Sequence, residues 1–141
     1  MKITLEELED FAADFVSKLE KSDTAKVIGL SGNLGAGKTT FTQRVAKKLG
    51  ILEESITSPT FVIMKKYELE SQVFDNFIHI DAYRLESGKE LEVLDFNELL
   101  KDSGNLIFIE WPEKVSEVLP KNITTINFEV VDEKSREIKY A

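Results

Sequence analysis

The sequence predicts an α/β fold of three layers, in which a mixed, mostly parallel sheet carries helices on its flanks and ends in an antiparallel hairpin. Three observations carry that reading. Residues 32–39 spell G-x-x-x-x-G-K-T between an apolar run, Val27-Ile28-Gly29-Leu30, and a helix-like run, Thr39 to Leu49. Two further apolar runs, Phe77 to Ile80 and Leu106 to Ile109, each end in a carboxylate, as strands do where they line the ligand crevice of an open α/β sheet. Strand-like alternation at Ile123 to Val131 and Arg136 to Tyr140 adds a closing pair around Asp132 to Ser135.

The elements follow in order. Thr4-Leu5-Glu6-Glu7 has the T-x-x-E form of a capping box. Leu5, Leu8, Phe11, Ala12, Phe15 and Leu19 then recur at helical spacing, which predicts an amphipathic helix from about Leu5 to Glu20. Val27 to Leu30 reads as a buried strand, and the helix from Thr39 has Phe41, Val45, Ala46 and Leu49 on one face, with Gly50 as its C′ residue. Ser58-Pro59-Thr60-Phe61 is an extended X-Pro element. Phe61 to Tyr67 and Phe74 to Ile80, rich in β-branched and aromatic residues, read as an antiparallel strand pair. The spacing of Leu91, Leu94, Leu99 and Leu100 predicts one helix over Glu90 to Leu100, stopped by Ser103-Gly104-Asn105. A short helix from about Pro112 to Val118 follows Glu110-Trp111. At 141 residues, with neither internal repeats nor low-complexity tracts, residues 1–141 read as a single domain.

Composition narrows the function classes. There is no cysteine, which removes disulfides, thiolate zinc sites and cysteine nucleophiles, and the single histidine argues against a histidine-rich metal site. The apolar runs are far shorter than a membrane span, and the acidic, amphipathic N-terminal segment is unlike a signal peptide, so the cytoplasm is the expected compartment. The formal net charge is −8, and the short pairs Lys47-Lys48 and Lys65-Lys66 do not make a basic face. An acidic surface fits docking on a basic protein partner better than direct gripping of RNA or DNA.

The glycine-rich segment is a phosphate-binding P-loop in its proper setting. Its glycines let the backbone curl into a nest of N–H groups, and the helix that starts near Lys38 adds its positive end. Asn33, Leu34, Gly35, Ala36, Gly37, Lys38, Thr39 and Thr40 are the expected nucleotide contacts, with Lys38 reaching the β- and γ-phosphates and the Thr39 hydroxyl on Mg²⁺. A P-loop needs a second acidic group at a neighbouring strand end, and Asp81 and Glu110 both have that form. Arg84 either contacts a γ-phosphate or holds Asp81 in an ion pair. His79 reads as a structural strand residue. Trp111 reads as packing, a lid over the nucleotide or part of a partner surface. Thr60 of S-P-T-F lies where P-loop switch proteins keep a γ-phosphate-sensing segment, with a plain turn as the alternative.

Taken together, G-N-L-G-A-G-K-T-T-F, S-P-T-F, H-I-D-A-Y-R-L and E-W-P, in this order and at these separations, resemble the TsaE (YjeE) family. The resemblance spans nearly the whole chain. It implies a small bacterial P-loop ATPase, using ATP and Mg²⁺, in the synthesis of N6-threonylcarbamoyladenosine at position 37 of tRNAs that read codons beginning with A. It also implies action with the subunits TsaD and TsaB, with tRNA met only through that complex and no membrane involved. Carried over by motif, Lys38 and Thr39 bind phosphates and Mg²⁺, Glu110 is the second carboxylate of the metal site, and Asp81 positions or activates water. Thr60 becomes a switch-like residue, Trp111 moves beside the nucleotide or partner, and Thr4 and Arg136 fall near the adenosine end. The departure from the family pattern is Asn33, where Asp is common, which removes a charge near the nucleotide. Two other classes remain open, a small-metabolite kinase and a nucleotide-gated binding module. The only arginines, Arg44, Arg84 and Arg136, are scattered, which does not suit a kinase lid.

Overall fold

A computed structural model describes residues 1–33, 35–51, 63–70, 72–121 and 123–140. The elements are β1 (Lys2–Thr4), α1 (Glu7–Ser17), β2 (Lys26–Gly32), α2 (Lys38–Lys48), β3 (Met64–Glu68), β4 (Asn76–Asp81), α3 (Lys89–Glu92), α4 (Phe96–Lys101), β5 (Asn105–Glu110), a 3-10 helix (Pro112–Val118), β6 (Thr124–Val130) and β7 (Ser135–Tyr140). Among the described residues the strands form one seven-stranded sheet in the order β1-β7-β6-β2-β5-β4-β3. Its core is parallel, through β6-β2, β2-β5 and β5-β4. Its margins are antiparallel, through β3-β4 on one side and β6-β7-β1 on the other. The expected hairpin at β3-β4, the closing β6-β7 pair and the parallel core are all present. No helix among the described residues is long and apolar enough to cross a membrane.

The sheet is covered on both faces, which is why its central strands read as unbroken apolar runs rather than alternating ones. All six residues of β5 are buried. Leu106 and Phe108 join Ile28, Leu30, Phe77 and Phe128 under α1 and α2, whereas Ile107 and Ile109 join Val27, Ile78 and Ile80 under α3, α4 and the 3-10 helix. Phe41 of α2 is the hub of the first layer. Its fully buried ring lies 5.4 Å from Phe11, 5.5 Å from Phe15, 5.6 Å from Phe128 and 6.0 Å from Phe108, centroid to centroid.

Helix ends follow their local chemistry. The capping box forms reciprocally: the Glu7 N–H donates to Thr4 Oγ1 at 3.1 Å, and the Thr4 N–H donates to Glu7 Oε1 at 2.9 Å. At the far end of α2, Gly50 takes φ +90, and its N–H and that of Ile51 donate to the carbonyls of Lys47 and Ala46. That is a Schellman motif with glycine at C′.

Two elements differ from the sequence reading. Lys2–Thr4 is a strand, because β7 supplies a partner 131 or more residues away, pairing Ile3 with Arg136 and Thr4 with Ser135. Three residues are too few for an alternating pattern to show. The helix expected over Glu90 to Leu100 is two short ones, α3 and α4, divided at Asp95, which takes φ +60. A continuous helix would aim Leu94 at the sheet. The break instead buries Phe96 beside Leu91 and leaves Leu94 42% exposed. Burying the larger ring is the greater gain, and aspartate tolerates the left-handed conformation that the break needs.

Phe41→Ala should therefore lower the unfolding free energy by about 3–5 kcal/mol in chemical denaturation, while Leu94→Ala should cost under about 1 kcal/mol.

Candidate nucleotide-binding and catalytic site

The P-loop is built where β2 runs out over α2. Gly32, its first glycine, has φ +136, and a Cβ there would sit 2.3 Å from the carbonyl oxygen of Phe128 on β6. Only glycine fits both the backbone and that approach. The Ala36 N–H closes a turn onto the Asn33 carbonyl at 3.1 Å. Gly37, at φ +109, stands at the N-cap of α2, with no side-chain cap on the helix and no acidic residue in its first turn. The positive end of an 11-residue helix is thus left to whatever anion the loop receives.

Lys38 opens α2 but folds back over the loop. Its ammonium donates to the Gly32 carbonyl and lies 3.5 Å from the centre of the Trp111 ring, with the residue only 4% exposed. Burial holds its pKa below the usual lysine range, against the opposing pull of Glu110, Glu113 and Asp81. Trp111 is itself held in the left-handed region at φ +62. Its N–H donates to the Leu30 carbonyl at 3.1 Å and its ring meets that of Tyr83 at 5.1 Å. A bulky residue at positive φ is a strained feature that the surrounding structure must enforce.

The two strand-end carboxylates meet because β4 and β5 pair in parallel with Asp81 opposite Glu110. Side chains alternate, so His79 and Asp81 share the face of Phe77, and Glu110 shares that of Phe108, both toward α2. Glu110 is buried and its two oxygens have different neighbours. Oε1 accepts from the Thr39 hydroxyl at 3.2 Å, and Oε2 lies 2.6 Å from His79 Nε2. Asp81 is less enclosed; its Oδ1 accepts the Tyr83 N–H at 3.0 Å. Burial pushes the Asp81 pKa up, and Glu110 pushes the same way, while the Tyr83 N–H, His79 and Lys38 oppose the shift. The two carboxylates thus stand side by side in unlike surroundings, Glu110 buried and bonded through both oxygens, Asp81 half-buried.

Arg136, far away in sequence, reaches the loop. Its Nη2 donates to the Gly35 carbonyl at 3.3 Å and its Nη1 to the carbonyls of Asp132 and Ser135 at 2.9 Å each. Thr4 lies opposite Ser135, next to Arg136, but its hydroxyl is engaged by the α1 cap. Ala36 is buried and Thr40 half-buried in the first turn of α2, while Asn33 is exposed at the mouth of a pocket of about 440 Å³ with Gly32, Asn127 and Phe128. A larger groove, about 700 Å³, runs along α1 and the starts of β2 and β6 and shares no residue with the P-loop. Neither cavity is lined by Lys38, Thr39, Asp81 or Glu110, which meet at the start of α2. Arg84 is exposed beyond Asp81. Leu34 and the whole S-P-T-F segment, with Thr60, lie outside the described residues. Two contributors escaped the sequence reading. Glu113 accepts from the Ser31 hydroxyl at 3.4 Å and faces Lys38; its signal was a second acidic residue just past E-W-P. His79 reads as structural from its place in an apolar strand, and nothing local in the sequence marks its approach to Glu110.

The profile of the family described as "Threonylcarbamoyl adenosine biosynthesis protein TsaE" matches residues 3–138. The chain belongs to the TsaE family. It is 35% identical over 130 residues to the tRNA threonylcarbamoyladenosine biosynthesis protein TsaE of Rickettsia typhi, covering 92% of this chain and 85% of that one. Its identity to the TsaE protein of Treponema pallidum is 37% over 119 residues, 84% of each chain. The crystal structure of Bacillus subtilis YdiB superposes with a TM-score of 0.73 at 29% identity, over 99% of this chain and 83% of that one. In this TsaE-family chain the P-loop, Asp81, Glu110 and Trp111 therefore occupy one end of a shared architecture.

The raised Asp81 pKa sets a stability test. A carboxyl with a raised folded-state pKa contributes most at low pH, and stability is lost as pH rises from the ordinary aspartate range through the folded-state value. Asp81→Asn, which keeps an oxygen for the Tyr83 N–H, should raise the denaturation midpoint at neutral pH, and the gain should vanish below about pH 4.

Proposed function

We propose that this chain is a Mg²⁺-dependent ATPase that serves threonylcarbamoylation of adenosine 37 in tRNAs reading codons that begin with A, acting with TsaD and TsaB. The observation that carries the ATPase reading is the meeting of Lys38, Thr39, Asp81 and Glu110 at the N-terminus of α2. Membership of the TsaE family and the printed names of the relatives support the pathway.

Phosphoryl transfer to water needs positioning and charge neutralisation more than covalent chemistry. In this reading the loop amides and Lys38 hold the phosphates. The Thr39 hydroxyl and Glu110 carboxylate are hard oxygen donors of the kind Mg²⁺ takes, and they already face each other. Mg²⁺ bound there would neutralise charge on the phosphate oxygens. Asp81, with its pKa pushed up, orients the attacking water and takes up its proton. Trp111 flanks the phosphate side of Lys38, and Arg136 braces the loop from β7. Thr60 would sense the γ-phosphate.

Lys38 rests against the Gly32 carbonyl and the Trp111 ring, so it must leave both to meet a phosphate. That supports slow turnover by the chain alone, with partner docking completing the site. A net charge of −8 supports contact with tRNA through the partners rather than directly.

In ATP hydrolysis assays, Lys38→Ala should remove activity, as should chelation of Mg²⁺. Asp81→Asn should lower kcat by about 10²–10³-fold while nucleotide binding is kept. A wild-type rate for Asp81→Asn would sink its assigned role. Reconstitution with TsaD and TsaB, reading hydrolysis and modified tRNA together, should show faster turnover than the chain alone; equal rates would refute partner completion.

A further inference from the structure

His79 lies in the middle of β4 and is fully buried. Packing alone does not account for a histidine there. Its ring Nδ1 has no hydrogen-bond partner among the described residues. An unpaired buried polar atom is costly, and an aliphatic side chain at the same position would avoid that cost. The polar contact that the ring makes is the 2.6 Å approach of Nε2 to Glu110 Oε2. In the reading of Glu110 as a cation ligand its carboxylate only accepts, and Nε2–H is then the donor.

That bond runs diagonally across the sheet. In the β4-β5 register His79 stands opposite Phe108, and Glu110 opposite Asp81, so the ring reaches one step up the neighbouring strand. With Oε2 taken from below, the carboxylate has one oxygen left, Oε1, turned to the Thr39 hydroxyl at the start of α2. Lys38 and Asp81 are also close enough to act on this region electrostatically, so a carboxylate without an anchor has competing orientations.

We propose that His79 is a positioning residue: by holding Glu110 Oε2 it aims Oε1 at the Thr39 hydroxyl and so presets the oxygen pair that receives the divalent cation. The inference rests on the reading of Thr39 and Glu110 as the Mg²⁺ pair and adds the residue that orients it. Partners that hold a metal ligand in place commonly matter 10–100-fold for metal affinity, although they never touch the metal.

The test is a calorimetric titration of the full chain with a non-hydrolysable ATP analogue at increasing Mg²⁺ and in chelator. His79→Leu fills the site without a donor, His79→Asn is too short to span to Oε2, and His79→Gln places an amide N–H near the position of Nε2. The leucine and asparagine variants should need about 10–100-fold more Mg²⁺ for half-maximal effect, with analogue affinity in chelator unchanged. The glutamine variant should return towards the wild-type Mg²⁺ requirement. Either of the first two serves if the other does not fold. An unchanged Mg²⁺ requirement in a folded donor-less variant overturns the proposal. Equal losses with and without Mg²⁺, or no rescue by glutamine, show a merely structural histidine and also overturn it. Glu110→Gln separates the two layers: if that variant keeps the wild-type Mg²⁺ requirement, the metal-pair reading itself fails.

Discussion

The parallel ladder of β2, β5 and β4 is the constraint from which the site takes its shape. Leu30 and Asp81 both stand opposite Glu110, one on each side of β5, so a single strand end sets the P-loop against both carboxylates. The side-chain period of a strand is two, so slipping β4 by one residue would turn Asp81 and His79 to the α3 side. Burial prevents that slip. Ile78 and Ile80 pack under α3 and α4 while Phe77 packs under α2, and exchanging the two sets would strand charged groups in the opposite layer. The apolar core thus holds the site's register as well as the fold.

Electrostatics at this end of the sheet are arranged around one buried cation. Lys38 is enclosed by an aromatic face, a backbone carbonyl and three nearby carboxylates, Glu110, Glu113 and Asp81. Desolvation disfavours its charge, and the carboxylates restore part of what burial removes. The strained backbone at Trp111 is what brings the indole over the ammonium, and the Leu30 carbonyl pins it from the P-loop strand. Loop, strand end and aromatic ring are therefore one mechanical unit. Any displacement of Lys38 would change the surroundings of Trp111, whose ring also meets that of Tyr83.

Local chemistry was legible in the residues themselves. The P-loop, the capping box, the Schellman glycine at Gly50 and the apolar strands ending in Asp81 and Glu110 each depend on neighbours within a few positions. The features that were not legible depend on distant partners. Lys2–Thr4 is a strand only because β7 pairs with it. The segment Glu90 to Leu100 has a good helical period, yet the space under the sheet favours burial of Phe96 and a break at Asp95. Arg136 meets Gly35 across 101 positions, and Glu113 approaches Lys38 because the chain turns sharply at Trp111.

By itself the sequence determined the kind of place: a glycine-rich loop at a helix start, a lysine and a threonine in the first turn, and two carboxylates at strand ends. These follow from backbone freedom at glycine, helix polarity and two-residue alternation, all short-range properties. Tertiary structure alone decided how the carboxylates divide. Register put Asp81 beside Glu110, burial pushed the Asp81 pKa up, and a cross-strand bond tied Glu110 to His79. Those outcomes depend on which strands pair and on how much water is removed, and neither is written in any one stretch of chain.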